Sequence, residues 1–242
     1  MKQGLYTIRR SRALTEDIFE LCLSGDTASI TAPGQFVNIK VDGCFLRRPI
    51  SVCDWDKESL TLVFKTVGEG TALLAGMREG GTLDLLCGLG NGFDVSRCGK
   101  KTLLLGGGLG AAPLYGLAKT LLQAGARPVA VLGFNRKEDI FYEREFRALG
   151  IETAIVTVDG SAGVKGFVTD ALPDTCDVFC ACGPMPMMKA VYAALPTPGF
   201  FSLEERMGCG FGACMGCSCK TKAGYQRVCK EGPVFAKEEL LW

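Results

Sequence analysis

Two rhythms divide the chain. From Leu5 to about Asp94, apolar and polar residues alternate in short runs broken by glycine and polar turns. Phe36-Val37-Asn38-Ile39-Lys40-Val41 and Leu60-Thr61-Leu62-Val63-Phe64-Lys65 are the clearest examples. A period of two turns one face of each run inward and predicts strands near 6–10, 18–23, 35–41, 50–53, 60–65 and 82–86. A short helix is expected after Gly70-Thr71, through Ala72 to Ala75. Closely spaced strands of this kind suggest a small antiparallel barrel. From Lys100 to about Leu195 the texture becomes strand–helix alternation. Strands are expected at 102–105, 129–132, 152–158 and 178–181, with helices at 112–123, 140–148 and 186–194. That order predicts a doubly wound parallel sheet. From Gly199 the periodicity fades. The expected architecture is a β barrel plus an α/β domain, as a barrel over 1–97, a parallel-sheet domain over 98–198 and a C-terminal segment over 199–242.

Composition narrows the chemistry. The chain has 242 residues, 48% hydrophobic and 22% charged, with a formal net charge of +1. This is an ordinary globular balance with no electrostatic footprint for nucleic acid or an anionic membrane. No apolar run approaches the roughly 20 residues of a membrane span. The N-terminus passes straight into Arg9, Arg10 and Arg12 without the apolar core of a signal peptide. Histidine is absent and cysteine occurs 13 times. Imidazole bases, His-ligated zinc and Rieske ligation are thereby excluded, and a cofactor must carry any reaction. The many thiols without export signals point to a reducing, cytoplasmic setting.

Four of those cysteines carry the strongest signal. Cys209, Cys214 and Cys217 follow a C-x4-C-x2-C spacing, and Cys229 lies shortly beyond, the pattern of plant-type 2Fe–2S ferredoxins. Such a cluster needs four thiolates converging on two irons, three of them from one loop wrapped closely around it. Gly208, Gly210, Gly212 and Gly216 suit that loop. A structural zinc site would show paired C-x2-C units, and here only Cys214 and Cys217 form one. A disulfide framework fits small secreted domains rather than this chain. Cys219 makes a C-x-C with Cys217 and is either a spare thiol or an alternative ligand.

A second signal follows the first parallel strand. Gly106-Gly107-Gly108-Leu109-Gly110-Ala111 fits a loose dinucleotide fingerprint, in which the backbone approaches a pyrophosphate at a helix N-terminus. Glycine-rich packing of a strand–helix turn is the competing reading. The second strand ends at Gly133-Phe134-Asn135 without the usual acidic ribose ligand. On the barrel, Arg48-Pro49-Ile50-Ser51 offers a guanidinium for a pyrophosphate and a hydroxyl for a flavin ring, or else a surface Arg-Pro turn. Gly68-Glu69-Gly70-Thr71 is a further anion-binding turn or a routine glycine loop.

The order of these motifs resembles the ferredoxin–NADP reductase superfamily: barrel with Arg-Pro-x-Ser, glycine loop, then Cys182-Gly183-Pro184. Many members have Tyr where this chain has Ile50. The Arg-Arg-Pro-Ile-Ser wording with a C-terminal four-cysteine pattern is similar to one branch, the electron-transfer subunits of NAD-dependent (class 1B) dihydroorotate dehydrogenases. The resemblance spans essentially the whole chain. It implies that Arg48, Pro49, Ile50, Ser51, Lys65, Thr66, Val67, Gly70 and Thr71 contact FAD on the barrel. It implies that Gly106, Gly107, Gly108, Gly110, Cys182, Gly183 and Pro184 line the NAD side. Cys209, Cys214, Cys217 and Cys229 would ligate the cluster. Cys182 sits at a strand end, where its thiol faces the reacting rings or is simply a buried small residue.

The same resemblance implies a partner. No segment here reads as a dihydroorotate site, so an FMN-containing catalytic subunit is expected, in a heterotetramer of two copies of each chain, serving pyrimidine biosynthesis. Electrons would pass from FMN through the cluster and FAD to NAD+. Related flavin and iron–sulfur subunits, of NADH-dependent ferredoxin:NADP reductase or of sulfide dehydrogenase, share the layout. A non-enzymatic zinc-binding scaffold is the alternative of another class.

Overall fold

The structure is a computed structural model and describes residues 1–242. Six strands, β1 (Lys2–Ala13), β2 (Ile18–Ser24), β3 (Phe36–Lys40), β4 (Arg48–Trp55), β5 (Ser59–Lys65) and β6 (Thr82–Leu89), close an antiparallel barrel in the order β1-β2-β5-β4-β3-β6. Alternation places Val37, Ile39, Val52, Leu60, Leu62 and Leu85 inside it. Two sequence expectations change here. Strand β4 begins at Arg48, so Arg48-Pro49 lies within a strand rather than in a turn. Proline is tolerated because this end of β4 pairs only with β3. Helix α1 (Glu69–Ala75) starts earlier than expected and takes Gly70 and Thr71 into its first turn.

The second half builds one sheet from β7 (Thr102–Gly107), α2 (Ala111–Gln123), β8 (Val129–Phe134), α3 (Glu143–Ala148), β9 (Glu152–Thr157), β10 (Val164–Lys165), β11 (Val178–Cys182), α4 (Met185–Ala194) and β12 (Gly199–Ser202). Both faces are covered. Leu104, Ala130, Leu132 and Cys180 pack with α2 and Phe146, whereas Leu103, Leu105, Val131 and Phe179 pack with Met188 and Val191 of α4. Strand β9 stops one residue short of its expected end. Helix α3 begins at Glu143 rather than near Ile140, because Tyr142 turns the chain with a φ of 63°.

The chain beyond 198 opens by extending this sheet. Gly199-Phe200-Phe201-Ser202 is buried and pairs in parallel with β11. After a hairpin of β13 (Ser218–Thr221) and β14 (Gly224–Arg227), β15 (Val234–Ala236) returns antiparallel to β12 and ends the sheet. Burial on both faces removes the polar alternation that marks a strand in sequence. The sheet order is β10-β9-β8-β7-β11-β12-β15. Between them, the barrel and this sheet grip the cysteine segment: Phe36 and Leu89 of the barrel share one core with Cys217, Val228, Cys229 and Phe235. No helix is long and apolar enough to cross a membrane.

Candidate functional site

The cysteine loop brings its four thiols together in two pairs. Backbone N–H groups of Ala213 and Cys214 donate to Cys209 Sγ at 3.2 and 3.4 Å. Burial pushes the Cys209 thiol up, but hydrogen bonds from the Phe211, Cys214 and Ala213 backbone and from the Cys214 thiol outweigh it and lower the pKa to about 6. The β13–β14 hairpin makes the second pair. Val228 N–H bonds the Cys217 carbonyl at 3.0 Å, and Cys229 N–H lies 3.4 Å from Cys217 Sγ. Burial and then the neighbouring Cys217 thiol push Cys229 up to about 12. Two thiols per iron is the donor set of a two-iron cluster. Amide N–H groups aimed at the sulfurs complete the fit, since they stabilise thiolate charge. Cys219 sits opposite Gln226 in the hairpin, outside both pairs.

Long-range anchors hold the loop's shape. Arg227 Nη1 donates to the Gly212 carbonyl at 2.6 Å, and Glu231 receives Arg227 N and Nε at 2.8 and 2.9 Å. The Arg227 guanidinium holds the Glu231 carboxyl down at about 2. Gly210 and Gly212 have φ of 77° and 93°, a region that favours glycine, and a Cβ on either would strike Asn38 or Lys230. Asn38 Nδ2 donates to the Cys209 carbonyl at 3.0 Å, tying the loop to the barrel. Cys214, Met215 and Phe211 are exposed, which places the first cysteine pair at the molecular surface.

The barrel motif is brought together only in part. The Arg48 guanidinium lies over Gly70, where a Cβ would overlap its Nε, so the cation and the start of α1 meet. Pro49 pairs with Asn38 and Ser51 with Phe36, which sets both on the outer face while Ile50 packs toward the barrel core. Lys65 is instead ion-paired with Asp17 at 2.8 Å, and Thr66 N–H bonds the Asp17 carbonyl. Val67 is 79% exposed. Thr71 Oγ1 accepts from the Val67 and Gly68 N–H groups and so organises the turn itself.

The glycine loop meets the end of β11. A Cβ on Gly110 would overlap the Cys182 carbonyl, and one on Gly183 would lie 3.0 Å from Gly107 Cα. Gly106 packs against Ala111 at the head of α2, and Gly108 turns the chain with a φ of 52°. The two backbone segments thus approach closely at the head of α2, the form that admits a pyrophosphate, with the Met187 thioether packed against Gly107 and Gly183. Pro184 is exposed beside them. Burial pushes the Cys182 thiol up to about 12 against a hydrogen bond with Ser202, so it is held protonated. Asn38 carried no local sequence signal, because its partner, the Cys209 carbonyl, lies 171 positions away in the chain.

Comparison with known proteins matches the same regions. A family model described as the iron–sulfur cluster binding domain of dihydroorotate dehydrogenase B covers residues 204–241, and an oxidoreductase NAD-binding domain covers residues 104–193. The chain is 47% identical to the electron transfer subunit of dihydroorotate dehydrogenase B (NAD(+)) from Geobacillus sp. (strain WCH70), over 100% of this chain and 99% of the relative. The chain belongs to this family of electron-transfer subunits. The dihydroorotate dehydrogenase B subunit from Fusobacterium nucleatum is 41% identical, over 97% of this chain and 96% of its own. A solved NADH-dependent reduced ferredoxin-NADP oxidoreductase, from work on flavin-based electron bifurcation, superposes with a TM-score of 0.90. It shares 32% identity over 99% of this chain and 90% of its own. A ferredoxin NADP+ reductase from Neisseria gonorrhoeae, solved with FAD and NADP bound, has a TM-score of 0.67 and 19% identity over 80% of this chain and 90% of its own, a likeness of fold. The dihydroorotate dehydrogenase B family thus accounts for the whole length of the chain, barrel, sheet and cysteine segment together.

Proposed function

We propose that this chain is the electron-transfer subunit that connects a separate dihydroorotate-oxidising subunit to NAD+, with FAD on the barrel and a 2Fe–2S cluster in the cysteine loop. The observation that carries the reading is the two-by-two pairing of Cys209 with Cys214 and Cys217 with Cys229 on a loop seated against the barrel strand next to Arg48-Pro49-Ile50-Ser51. When bound, the cluster supplies one-electron transfer and the flavin links it to the two-electron chemistry of the nicotinamide.

The chain's own residues hold and tune. Cys209, Cys214, Cys217 and Cys229 are the ligands, and the N–H groups of Ala213, Cys214, Gly216 and Cys229 lie 3.2–3.5 Å from cysteine sulfurs. Arg48 brings positive charge over Gly70 to meet the flavin pyrophosphate, while Pro49, Ile50 and Ser51 present the strand on which the ring rests. Lys65, Thr66, Val67 and Thr71 bound that site, with Lys65 and Thr66 braced by Asp17. Gly106, Gly107, Gly108 and Gly110, with Cys182, Gly183 and Pro184, let NAD approach the backbone closely. The partner carries FMN, and the working assembly is a heterotetramer of two copies of each chain.

The test is the purified chain. It should contain FAD with two irons and two sulfides, oxidise NADH with an artificial acceptor, and leave dihydroorotate untouched until the partner is added. Dihydroorotate turnover by the pure chain overturns the division of labour, and a colourless zinc protein overturns the reading entirely. The likeness to the NADH-dependent ferredoxin-NADP oxidoreductase favours a second reading, a subunit of such an enzyme. The co-purifying chain separates the two: an FMN protein that oxidises dihydroorotate, or a subunit that reduces NADP.

A further inference from the structure

The outer face of β3 carries a buried group that none of these roles employs. Asn38 is 1% exposed, and its Nδ2 donates to the Cys209 carbonyl. A carbonyl can only accept, so the nitrogen must face the cysteine loop and Oδ1 must face away. That Oδ1 is buried with no hydrogen-bond partner. An unpaired buried amide oxygen is costly, and its presence at a binding site points to a missing donor.

Register says what lies beside it. Asn38 is directly opposite Pro49, and Phe36 is opposite Ser51, so these four side chains share one face of the sheet. Val37 and Ile39 point into the barrel core. Phe36 packs with Cys217 and Cys229. One carboxamide therefore stands between the strand of the proposed flavin site and the backbone of the first cluster cysteine.

Its mount is rigid. Pro49 has no N–H to offer the sheet, and Arg47 Nη1 donates to the Asn38 carbonyl at 3.2 Å. The same guanidinium is held by Asp84 through contacts of 3.0 Å. Gly210 leaves room for the amide, since a Cβ there would lie 2.5 Å from Nδ2.

We infer that Asn38 is a positioning residue joining the two cofactor sites, its Nδ2 fixing the cluster loop and its Oδ1 accepting a hydrogen bond from a flavin donor, a ring N–H or a ribityl hydroxyl. The inference rests on the proposed function. It makes the spacing between flavin and cluster a property of one side chain rather than of two independently placed domains.

Substitutions at Asn38 separate the two hydrogen bonds, read as FAD release by fluorescence on dilution, visible circular dichroism of the cluster, and iron loss to a chelator. Asn38→Leu should release FAD and lose iron each roughly five- to tenfold faster, the scale of one lost hydrogen bond, with an altered cluster dichroism. Asn38→Ser, a smaller change, should repeat both effects if the leucine variant does not fold. Gly210→Ala crowds Nδ2 from the loop side and should disturb the cluster readouts more than FAD release. FAD release at the wild-type rate in Asn38→Leu or Asn38→Ser overturns the inference, as does a lowered melting temperature with both cofactor readouts unchanged. Wild-type protein without flavin or cluster would instead overturn the proposed function beneath it.

Discussion

Cys219 and Cys214 are separated by five positions but sit in different surroundings. Cys214 pairs with Cys209 at the surface, whereas Cys219 lies on the hairpin, where burial raises its thiol. Replacing Cys209, Cys214, Cys217 or Cys229 with serine should abolish the iron–sulfur absorbance and leave FAD bound. Cys219→Ser should keep full iron and sulfide, and iron analysis beside the flavin spectrum distinguishes the cases. Arg227 supports the loop from outside, through the Gly212 carbonyl and Glu231. Arg227→Ala should bleach several-fold faster in a chelator without changing the cysteine ligands. The grouping of these cysteines was legible in sequence because three of the four come from one loop, so spacing reports geometry directly. Asn38 was not, since its bond to Cys209 spans 171 positions and a lone asparagine in a strand looks like any polar residue.

Elements were legible wherever one face is wet. The alternation of β3 and β5 marked the barrel, and α2 was placed to within a residue. Strand β12 escaped because Gly199-Phe200-Phe201-Ser202 is buried throughout and too short to show a period. The contact of α2 with β4 escaped too, because it depends on an absent side chain. A Cβ at Gly116 would lie 2.6 Å from the Cys53 carbonyl, and beside it Lys119 reaches Asp54 at 2.5 Å. Gly116→Ala should push the helix off the barrel and cost about 1–3 kcal/mol, the usual penalty of overpacking. A lowered melting temperature should accompany slower NADH oxidation, because the same helix carries the glycine loop at its head.

At the scale of the whole molecule, Glu20 locks barrel to sheet. Its buried carboxylate takes Arg12 at 2.8 and 2.9 Å, Arg10 at 2.9 Å and the Tyr142 hydroxyl at 2.7 Å. Burial raises its pKa, but the hydrogen bonds from Arg12 and Tyr142 and the positive charges of Arg12 and Arg10 prevail and hold it below the ordinary carboxylate range. A carboxyl depressed by folding contributes stability that is complete above its unfolded value and fades as pH falls through the folded one. Glu20→Gln should therefore cost about 2–3 kcal/mol near neutral pH, a loss typical of hydrogen bonds to charged groups. Urea unfolding of the two proteins should converge as the solution is acidified below the carboxylate range. The three-part architecture could be read from motif order, but the docking could not, because Glu20 and Tyr142 are 122 positions apart.

The entry and exit of the cysteine segment are neighbouring strands of one sheet, β12 and β15. A segment pinned at both ends cannot swing between a docking partner and the flavin as a tethered carrier would. Charge must then cross fixed gaps, and turnover limited inside this subunit should be indifferent to added viscogen. Slowing in proportion to glycerol or sucrose would mean that the strand pair opens during each cycle.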